Sequence, residues 1–308
     1  MNAEALFSTW DIPWAVTTTL AVTALIYVLG WLRIRRTRPG LFPLCRLFAF
    51  LAGILALFVA VASPLDTFSE TLLFMHMAQH FVLMSVAPPL IVLSAPVVPL
   101  LRGLPRSLVR SALRPIFSAG LLHEIGAWLT RPRVAWFSMN LAYVGWHVPR
   151  AYEIALSSEN IHNCEHACFF FTSLMFWWPV IAPWPNRQNW SRWILLPYLL
   201  FADLVNTGLS AFLCFSGRLL YPSYAAVPRL FGLSALNDQI AAGAFMWVMG
   251  SMVFLIPAMA ITMQMLSPDC RRLASESHGC GTSIDGRRAW DSAAPTAPCN
   301  PRPDSVPL

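Results

Sequence analysis

Five of the seven histidines fall into two close pairs and one single position. His76 and His80 are four residues apart, and so are His162 and His166. On a helix this spacing projects both imidazoles from one face, one turn apart. His147 stands alone at the end of another apolar run. Neutral imidazole binds copper, zinc and iron, so the pattern predicts a metal site assembled from several helices.

Two further side chains complete the predicted ligand set. Asp238 opens a later apolar segment, and Met246 follows two turns further along it. A thioether adds a preference for Cu(I), and a carboxylate such as Asp238 or Glu165 can orient a ligating imidazole. Copper is the expected metal and zinc the alternative. The predicted ligands are His76, His80, His147, His162, His166, Asp238 and Met246.

Each of these residues has a simpler interpretation when it is taken alone. A single histidine near the end of a membrane helix usually bonds to a loop or a headgroup. Methionines at helical spacing usually pack against neighbours. Two i, i+4 pairs and a fifth histidine at one level favour a metal or cofactor site.

The elements that position these residues are predicted to be membrane helices. The chain has 308 residues, of which 56% are hydrophobic and only 12% are charged. Soluble proteins carry about 25% charged residues, so much of this surface faces something other than water. The net charge of +6 comes with 21 arginines and no lysine. Loop orientation in a lipid bilayer explains this charge better than a nucleic-acid partner does.

Hydropathy places seven apolar segments, each compatible with a membrane-spanning helix. The fold class is therefore predicted to be all-α, with seven transmembrane helices. The segments are Trp14–Leu32, Leu47–Ala62, Leu72–Pro96, Val134–His147, Ile161–Ile181, Trp193–Phe215 and Ile240–Met265.

Arginine sets the predicted orientation. With the N-terminus outside, eighteen arginines fall in inner segments and three in outer ones, which favours N-out and C-in strongly. The third and fifth segments then begin at the outer face, and the fourth ends there. All five histidines, together with Asp238 at the start of the seventh segment, are expected at that face.

Residues 1–266 are predicted to form the membrane domain, and residues 267–308 a disordered cytoplasmic tail rich in proline and serine. Within the membrane domain, the segment of about 100–131 repeats arginine at positions 102, 106, 110 and 114. This spacing predicts an amphipathic helix on the inner surface, with its arginines toward anionic headgroups. A solvated loop is the alternative.

The chain resembles the CtaG-type cytochrome c oxidase assembly factors of bacterial membranes, which are associated with caa-type oxidases. As an ordered set the matching motifs are specific, although each alone is weak. They are Ser63–Asp66, His76–His80, Ala87–Leu90, Ala95–Pro96, Trp146–Pro149 with Tyr152, His162–His166, Trp177–Pro179, and Asp238–Gln239 with Gly243, Met246 and Trp247.

The resemblance implies a multi-pass protein of the bacterial inner membrane that helps to mature a haem–copper oxidase. It would receive copper at the outer face, hold it with the histidines and pass it to an oxidase subunit. The implied partners are haem–copper oxidase subunits, a periplasmic copper donor and the bilayer. No bond-making chemistry is assigned, so the protein is not expected to be an enzyme.

The alternative function is an intramembrane zinc-dependent hydrolase, which would use a zinc-bound water. Neither histidine pair has the HExxH arrangement, because Met77 and Asn163 stand where its glutamate would be. A cytochrome with two stacked haems is not favoured, because it needs histidines more than ten residues apart on one helix. The histidines of each pair here are four residues apart. A retinal protein needs a lysine for its Schiff base, and the chain has none.

Overall fold

The computed structural model describes residues 12–113, 120–184, 190–228 and 232–266. Within these ranges the chain is helical and contains no β-strand, which confirms the all-α class. The predicted tail at 267–308 lies outside the described residues. The long helix that ends at Leu266 crosses the division of the chain into two units, Met1–Met263 and Gln264–Leu308.

The described helices are numbered here in chain order. They are α1 (Trp14–Arg35), α2 (Leu44–Ala62), α3 (Pro64–Ser69), α4 (Leu73–Leu93), α5 (Val97–Gly103), α6 (Gly120–Leu129), α7 (Pro132–Trp146), α8 (Pro149–Ser157), α9 (Glu159–Ile181), α10 (Arg192–Phe215), α11 (Ser223–Ala226) and α12 (Ala235–Leu266).

Five of these helices are long and apolar enough to cross a membrane: α1, α2, α4, α10 and α12. Helix α7 has 15 residues, fewer than the ~20 that a bilayer requires. Helix α9 has 23 residues but begins with a polar stretch that carries the second histidine pair. Seven spans and the N-out orientation therefore stay predictions.

Helix α4 changes its winding halfway. A π-helical turn, Val82–Val86, separates two α-helical parts, and Pro88 and Pro89 follow it. Proline lacks an amide donor, so carbonyls one turn earlier need another partner. The indole Nε1 of Trp177 on α9 donates to the carbonyl oxygen of Met84 at 3.2 Å. The two prolines account for this irregularity, and α9 supplies the donor that the carbonyl oxygen of Met84 needs.

The predicted amphipathic helix at 100–131 is not one continuous helix. Helix α5 ends at Gly103 because Leu104 is extended, with ψ 154°, as the residue before a proline tends to be. Short helical turns follow at Arg106–Leu108 and Val109–Leu113, and α6 begins at Gly120. Residues 114–119, including the last arginine of the predicted stripe, lie outside the described residues.

Helix α5 packs directly on α1 through two glycines. A Cβ at Gly30 would overlap the carbonyl oxygen of Pro99, and a Cβ at Gly103 would overlap that of Ile26. The guanidinium of Arg33 donates to the carbonyl oxygens of Arg102 and Gly103 at the end of α5. The backbone contact and the hydrogen bonds from Arg33 hold α5 against α1.

A polar contact joins α7, α10 and α12 inside the bundle. Asn206 donates from Nδ2 to the carbonyl oxygen of Met246 at 3.3 Å, and its Oδ1 accepts from the Tyr143 hydroxyl at 2.8 Å. Gly250 allows this approach, because a Cβ there would lie 2.5 Å from the Asn206 amide nitrogen. Asn206 therefore makes hydrogen bonds to two neighbouring helices. Asp203, one turn earlier on α10, has an Oδ1 without a hydrogen-bond partner among the described residues.

Candidate metal centre

Helices α4 and α9 bring both histidine pairs together at one end of the bundle. One ring nitrogen from each of His76, His80, His162 and His166 lies within 4.8 Å of the corresponding nitrogen of the other three. The ring centroids are 4.3 Å apart in the first pair and 4.1 Å apart in the second. Across the two helices, His76 lies 5.1 Å from His162, and His80 lies 5.3 Å from His166. The predicted convergence of these two pairs is confirmed.

The four-histidine cluster is buried and presents unused nitrogens. His76, His80 and His166 are only 1%, 3% and 7% exposed, and His162 is half-buried. The Nε2 atom of each ring has no hydrogen-bond partner within the described residues. Buried polar atoms are nearly always paired, so four unpaired nitrogens facing each other call for a shared partner. The donor set suits a borderline or soft cation such as copper or zinc.

Tyrosines beyond the cluster fix the tautomer of His76. The Tyr224 hydroxyl donates to the carbonyl oxygen of Ser69 at 3.0 Å and lies 3.1 Å from Nδ1 of His76. A hydroxyl has one hydrogen, so Nδ1 of His76 is the donor to Tyr224 and Nε2 keeps its lone pair. Such outer hydrogen bonds orient an imidazole for metal binding. Tyr152 adds a second hydroxyl, 3.1 Å from that of Tyr224.

His147 lies beside the cluster rather than within it. Its ring centroid is 6.2 Å from that of His80, and it is not one of the four mutually close histidines. Its Nδ1 lies 2.7 Å from the carbonyl oxygen of Tyr143 and therefore donates to it. The Nε2 atom is unpartnered among the described residues. The ring is thus oriented as a ligand would be, but it faces a neighbouring cavity.

Asp238 lies outside the four-histidine cluster and caps α4. Its Oδ2 accepts from the amide of Leu73 at 2.7 Å, and its Oδ1 from that of Phe74 at 3.1 Å. These amides have no partner inside their own helix, and the carboxylate favours the positive end of the helix dipole. In this role α12 positions the helix that carries His76 and His80, and metal binding by Asp238 stays a prediction.

Glu165 lies beside the cluster, where a carboxylate that orients a ligating imidazole would be expected. Its side chain is 1% exposed, and Oε1 lies 3.9 Å from Nε2 of His80. Neither carboxylate oxygen has a hydrogen-bond partner in the described parts of the chain. Three residues after His162, Glu165 is turned only about 60° from it at about 100° per residue. This spacing was the signal for its position.

An acidic vestibule adjoins one side of the cluster. It is lined by His76, His162, Glu70, Glu153 and Glu159 together with Tyr224. Glu70 and Glu159 are exposed, whereas Glu153 accepts from the amide and hydroxyl of Ser223. Burial raises the pKa of Glu70, and the charge of Asp66 raises it further. These carboxylates concentrate negative charge at the opening that leads to His76 and His162.

Asp66 lies close behind the vestibule. Its Oδ1 accepts from Nε2 of Gln79 at 2.6 Å. Burial raises the pKa of this carboxyl, although the hydrogen bond from Gln79 opposes the shift. Gln79 also donates to the carbonyl oxygen of Ala60, so the contact ties α3 and the end of α2 to α4 between the two histidines.

Fold and site together define a helical protein with several membrane-type spans and a buried histidine cluster at one end of its bundle. The chain belongs to the cytochrome c oxidase caa3 assembly factor family, whose model matches residues 25–267. This confirms the family that the sequence motifs indicated.

Mycobacterial proteins are among the similar sequences. An uncharacterized protein of Mycobacterium leprae is 26% identical over 300 residues, which cover 92% of this chain and 44% of that protein. Uncharacterized proteins of Mycobacterium bovis and Mycobacterium tuberculosis are each 27% identical over 263 residues, covering 82% of this chain and 39% of theirs. The chain thus spans less than half the length of these curated relatives. No solved structure matches it.

Proposed function

We propose that this protein supplies copper during the assembly of a haem–copper cytochrome c oxidase. The observation that carries the proposal is the set of four buried imidazole nitrogens within 4.8 Å of one another. Three or four neutral imidazoles hold a copper ion without any covalent chemistry. Because the role is to bind and hand over an ion, we propose a non-catalytic function.

The proposed site faces the periplasm. Arginines gather in a different part of the chain, where Arg33, Arg36, Arg102, Arg106 and Arg110 line a cavity around the junction of α1 and α5. Basic residues favour the cytoplasmic side, so the orientation with the N-terminus outside is the one we propose. The acidic vestibule then opens toward the periplasm, where a copper donor would meet it.

Family membership supports the destination of the ion. Residues 25–267 match the caa3 assembly factors, and a haem–copper oxidase needs copper delivered to a subunit in the membrane. We propose that the oxidase subunit docks at the histidine-bearing end of the bundle in the bacterial inner membrane. Neutral histidine ligands suit a donor that must release its ion, since they add no charge that would trap it.

One observation favours the alternative of a zinc-dependent hydrolase. Glu165 lies 3.9 Å from His80 and has unpartnered oxygens, as a general base beside a zinc-bound water would need. The two functions differ in the metal retained and in turnover. Zinc after purification, together with hydrolysis of a lipid amide that Glu165→Gln abolishes, would select the hydrolase.

Metal analysis tests the site. Purified wild type is compared with a His76→Ala/His80→Ala variant and with His278→Ala, which removes an imidazole from outside the described residues. We expect wild type and His278→Ala to bind one copper ion per chain at the cluster, and the double variant to bind none there. Equal copper in all three proteins would remove the ligand assignment.

Oxidase copper in cells tests the role. A strain that lacks this protein is complemented with wild type, with His162→Ala/His166→Ala or with His278→Ala. We expect the copper content and activity of the oxidase to return with the first and third but not with the second. Normal oxidase copper in the uncomplemented strain would refute the assembly role.

A further inference from the structure

A second cavity lies on the side of the histidine cluster away from the vestibule. It has a volume of about 50 Å³ and is lined by His80, His147 and helical side chains from α4, α7, α9, α10 and α12. Four of the chain's 12 methionines meet there. We name this cavity the methionine chamber after Met77, Met84, Met139 and Met246.

The chamber holds unused donors. Met77, Met139 and Met246 are 1%, 4% and 5% exposed. The Nε2 atom of His147 and both ring nitrogens of His80 are buried and unpartnered within the described residues. Burying an imidazole nitrogen without a hydrogen-bond partner costs free energy. The free nitrogens of His80 and His147 therefore favour a bound partner in the chamber over an empty apolar cavity.

The two cavities beside the cluster differ in ligand chemistry. The vestibule presents the carboxylates of Glu70, Glu153 and Glu159, which are hard oxygen donors. The chamber lining contains no aspartate or glutamate and presents thioethers instead. Thioethers select Cu(I) over divalent ions, and carboxylates do not.

We propose that the methionine chamber is a second metal site, which binds a single cuprous ion through His147 and the methionine thioethers. The inference rests on the proposed copper function and extends it to an inner position. A copper ion would enter at the vestibule, bind the four-histidine cluster and move past His80 into the chamber. His80 lines the chamber and belongs to the cluster, so it is shared by both sites.

Charge makes this inner position selective. The cost of moving an ion out of water rises with the square of its charge, and no aspartate or glutamate is among the described residues that line the chamber. A monovalent ion with thioether ligands is therefore accepted, and a divalent zinc ion is rejected. The chamber acts as a filter that follows the less selective histidine cluster.

Stepwise loading of the full-length protein tests the second site. The protein in detergent is titrated anaerobically with Cu(I) from a competing chelator, and copper K-edge absorption is recorded at one and two equivalents. We expect a nitrogen shell at the first equivalent and added sulfur scattering at the second. Zinc(II) should stop at one equivalent.

The variant Met139→Leu/Met246→Leu removes two thioethers while keeping side-chain volume. We expect it to keep the first equivalent and to bind the second at least tenfold more weakly, without sulfur scattering. Met252→Leu/Met259→Leu on exposed positions of α12 is the matched control and should behave as wild type. Thermal unfolding of each variant in detergent verifies its fold.

Wild type that binds one equivalent only, or sulfur scattering that persists in the chamber variant, would overturn the second site. A co-purified lipid that mass spectrometry finds in wild type and not in the chamber variant would also overturn it. Each of these results leaves the first equivalent intact. Failure of the copper function would instead appear as loss of the first, nitrogen-bound equivalent in wild type.

Discussion

The carboxylate of Glu165 lies 3.9 Å from Nε2 of His80, and neither group has a hydrogen-bond partner within the described residues. Both side chains are almost fully buried. A buried carboxyl beside the proposed ligands can lose its proton when a cation binds, offset the charge of that cation and take part in orienting His80. The contact links α9 to α4 at the centre of the proposed metal site.

The first prediction follows from this contact. Glu165→Gln keeps the shape of the side chain and removes its ability to become an anion when a cation binds. We expect the dissociation constant for copper to rise about 10–100-fold, the usual loss for a group that supports metal ligands. Competition with a chromophoric chelator measures it. Glu124→Gln, on an exposed position of α6 away from the vestibule lining, should have less than a threefold effect, and equal affinities for the two variants would contradict the role of Glu165.

Asp238→Ala should destabilise the protein through α4. The change removes the acceptor of two backbone amides, at Leu73 and Phe74, and a lost hydrogen bond to a charged group leaves a cost of about 2–3 kcal/mol. We expect a lower midpoint of thermal unfolding in detergent and weaker copper binding, because α4 carries His76 and His80. Asn237→Ala, at the exposed neighbouring position, serves as the control. An unchanged midpoint in Asp238→Ala would refute the capping role.

Trp177→Phe tests whether the indole hydrogen bond of Trp177 stabilises the π-helical turn in α4. Phenylalanine keeps most of the aromatic volume but cannot donate to the carbonyl oxygen of Met84. Leaving that buried acceptor unpaired should lower the free energy of unfolding by about 1–3 kcal/mol. The adjacent Trp178→Phe removes an indole that makes no hydrogen bond to another described residue, and it should cost less. Chemical denaturation in detergent measures the free energy of unfolding of both variants. Equal losses would argue against a stabilising hydrogen bond from Trp177.

Gly103→Ala should loosen the contact between α1 and α5. The added Cβ would overlap the carbonyl oxygen of Ile26, and backbone cannot move aside cheaply. We expect a loss of about 1–3 kcal/mol, as for other overpacked sites. Gly145→Ala is the matched control, since a Cβ there meets nothing within 4 Å, and alanine should be neutral or stabilising in that helix. If Gly103→Ala is as stable as Gly145→Ala, the close approach is wrong.

The sequence predicts the cluster well because helical spacing and segment direction are simple to read. An i, i+4 pair fixes the face of each helix, and alternating helices bring the histidines of α4 and α9 to one end. Hydropathy and proline positions likewise give the helix bounds within a few residues and the irregularity in α4. These features depend on local geometry alone.

Contacts between helices are harder to predict, because they depend on rotation about each helix axis. Asp238 was expected among the ligands, yet it meets the amides of α4 across the interface. The sequence predicts His147 among the ligands at the same level, and its offset from the four-histidine cluster depends on the packing of α7. Pro105 interrupts the predicted helix at 100–131, because the residue before a proline tends to be extended. The regular arginine spacing alone predicts one continuous helix.

The central claim is that imidazoles of α4 and α9 share one copper ion. The most direct measurement is copper K-edge absorption of the full-length protein loaded with one equivalent, recorded for wild type and for His162→Ala/His166→Ala. The account predicts a first shell of three or four imidazole nitrogens in wild type and its loss in the variant. A shell dominated by oxygen, or the same nitrogen shell in both proteins, would contradict it.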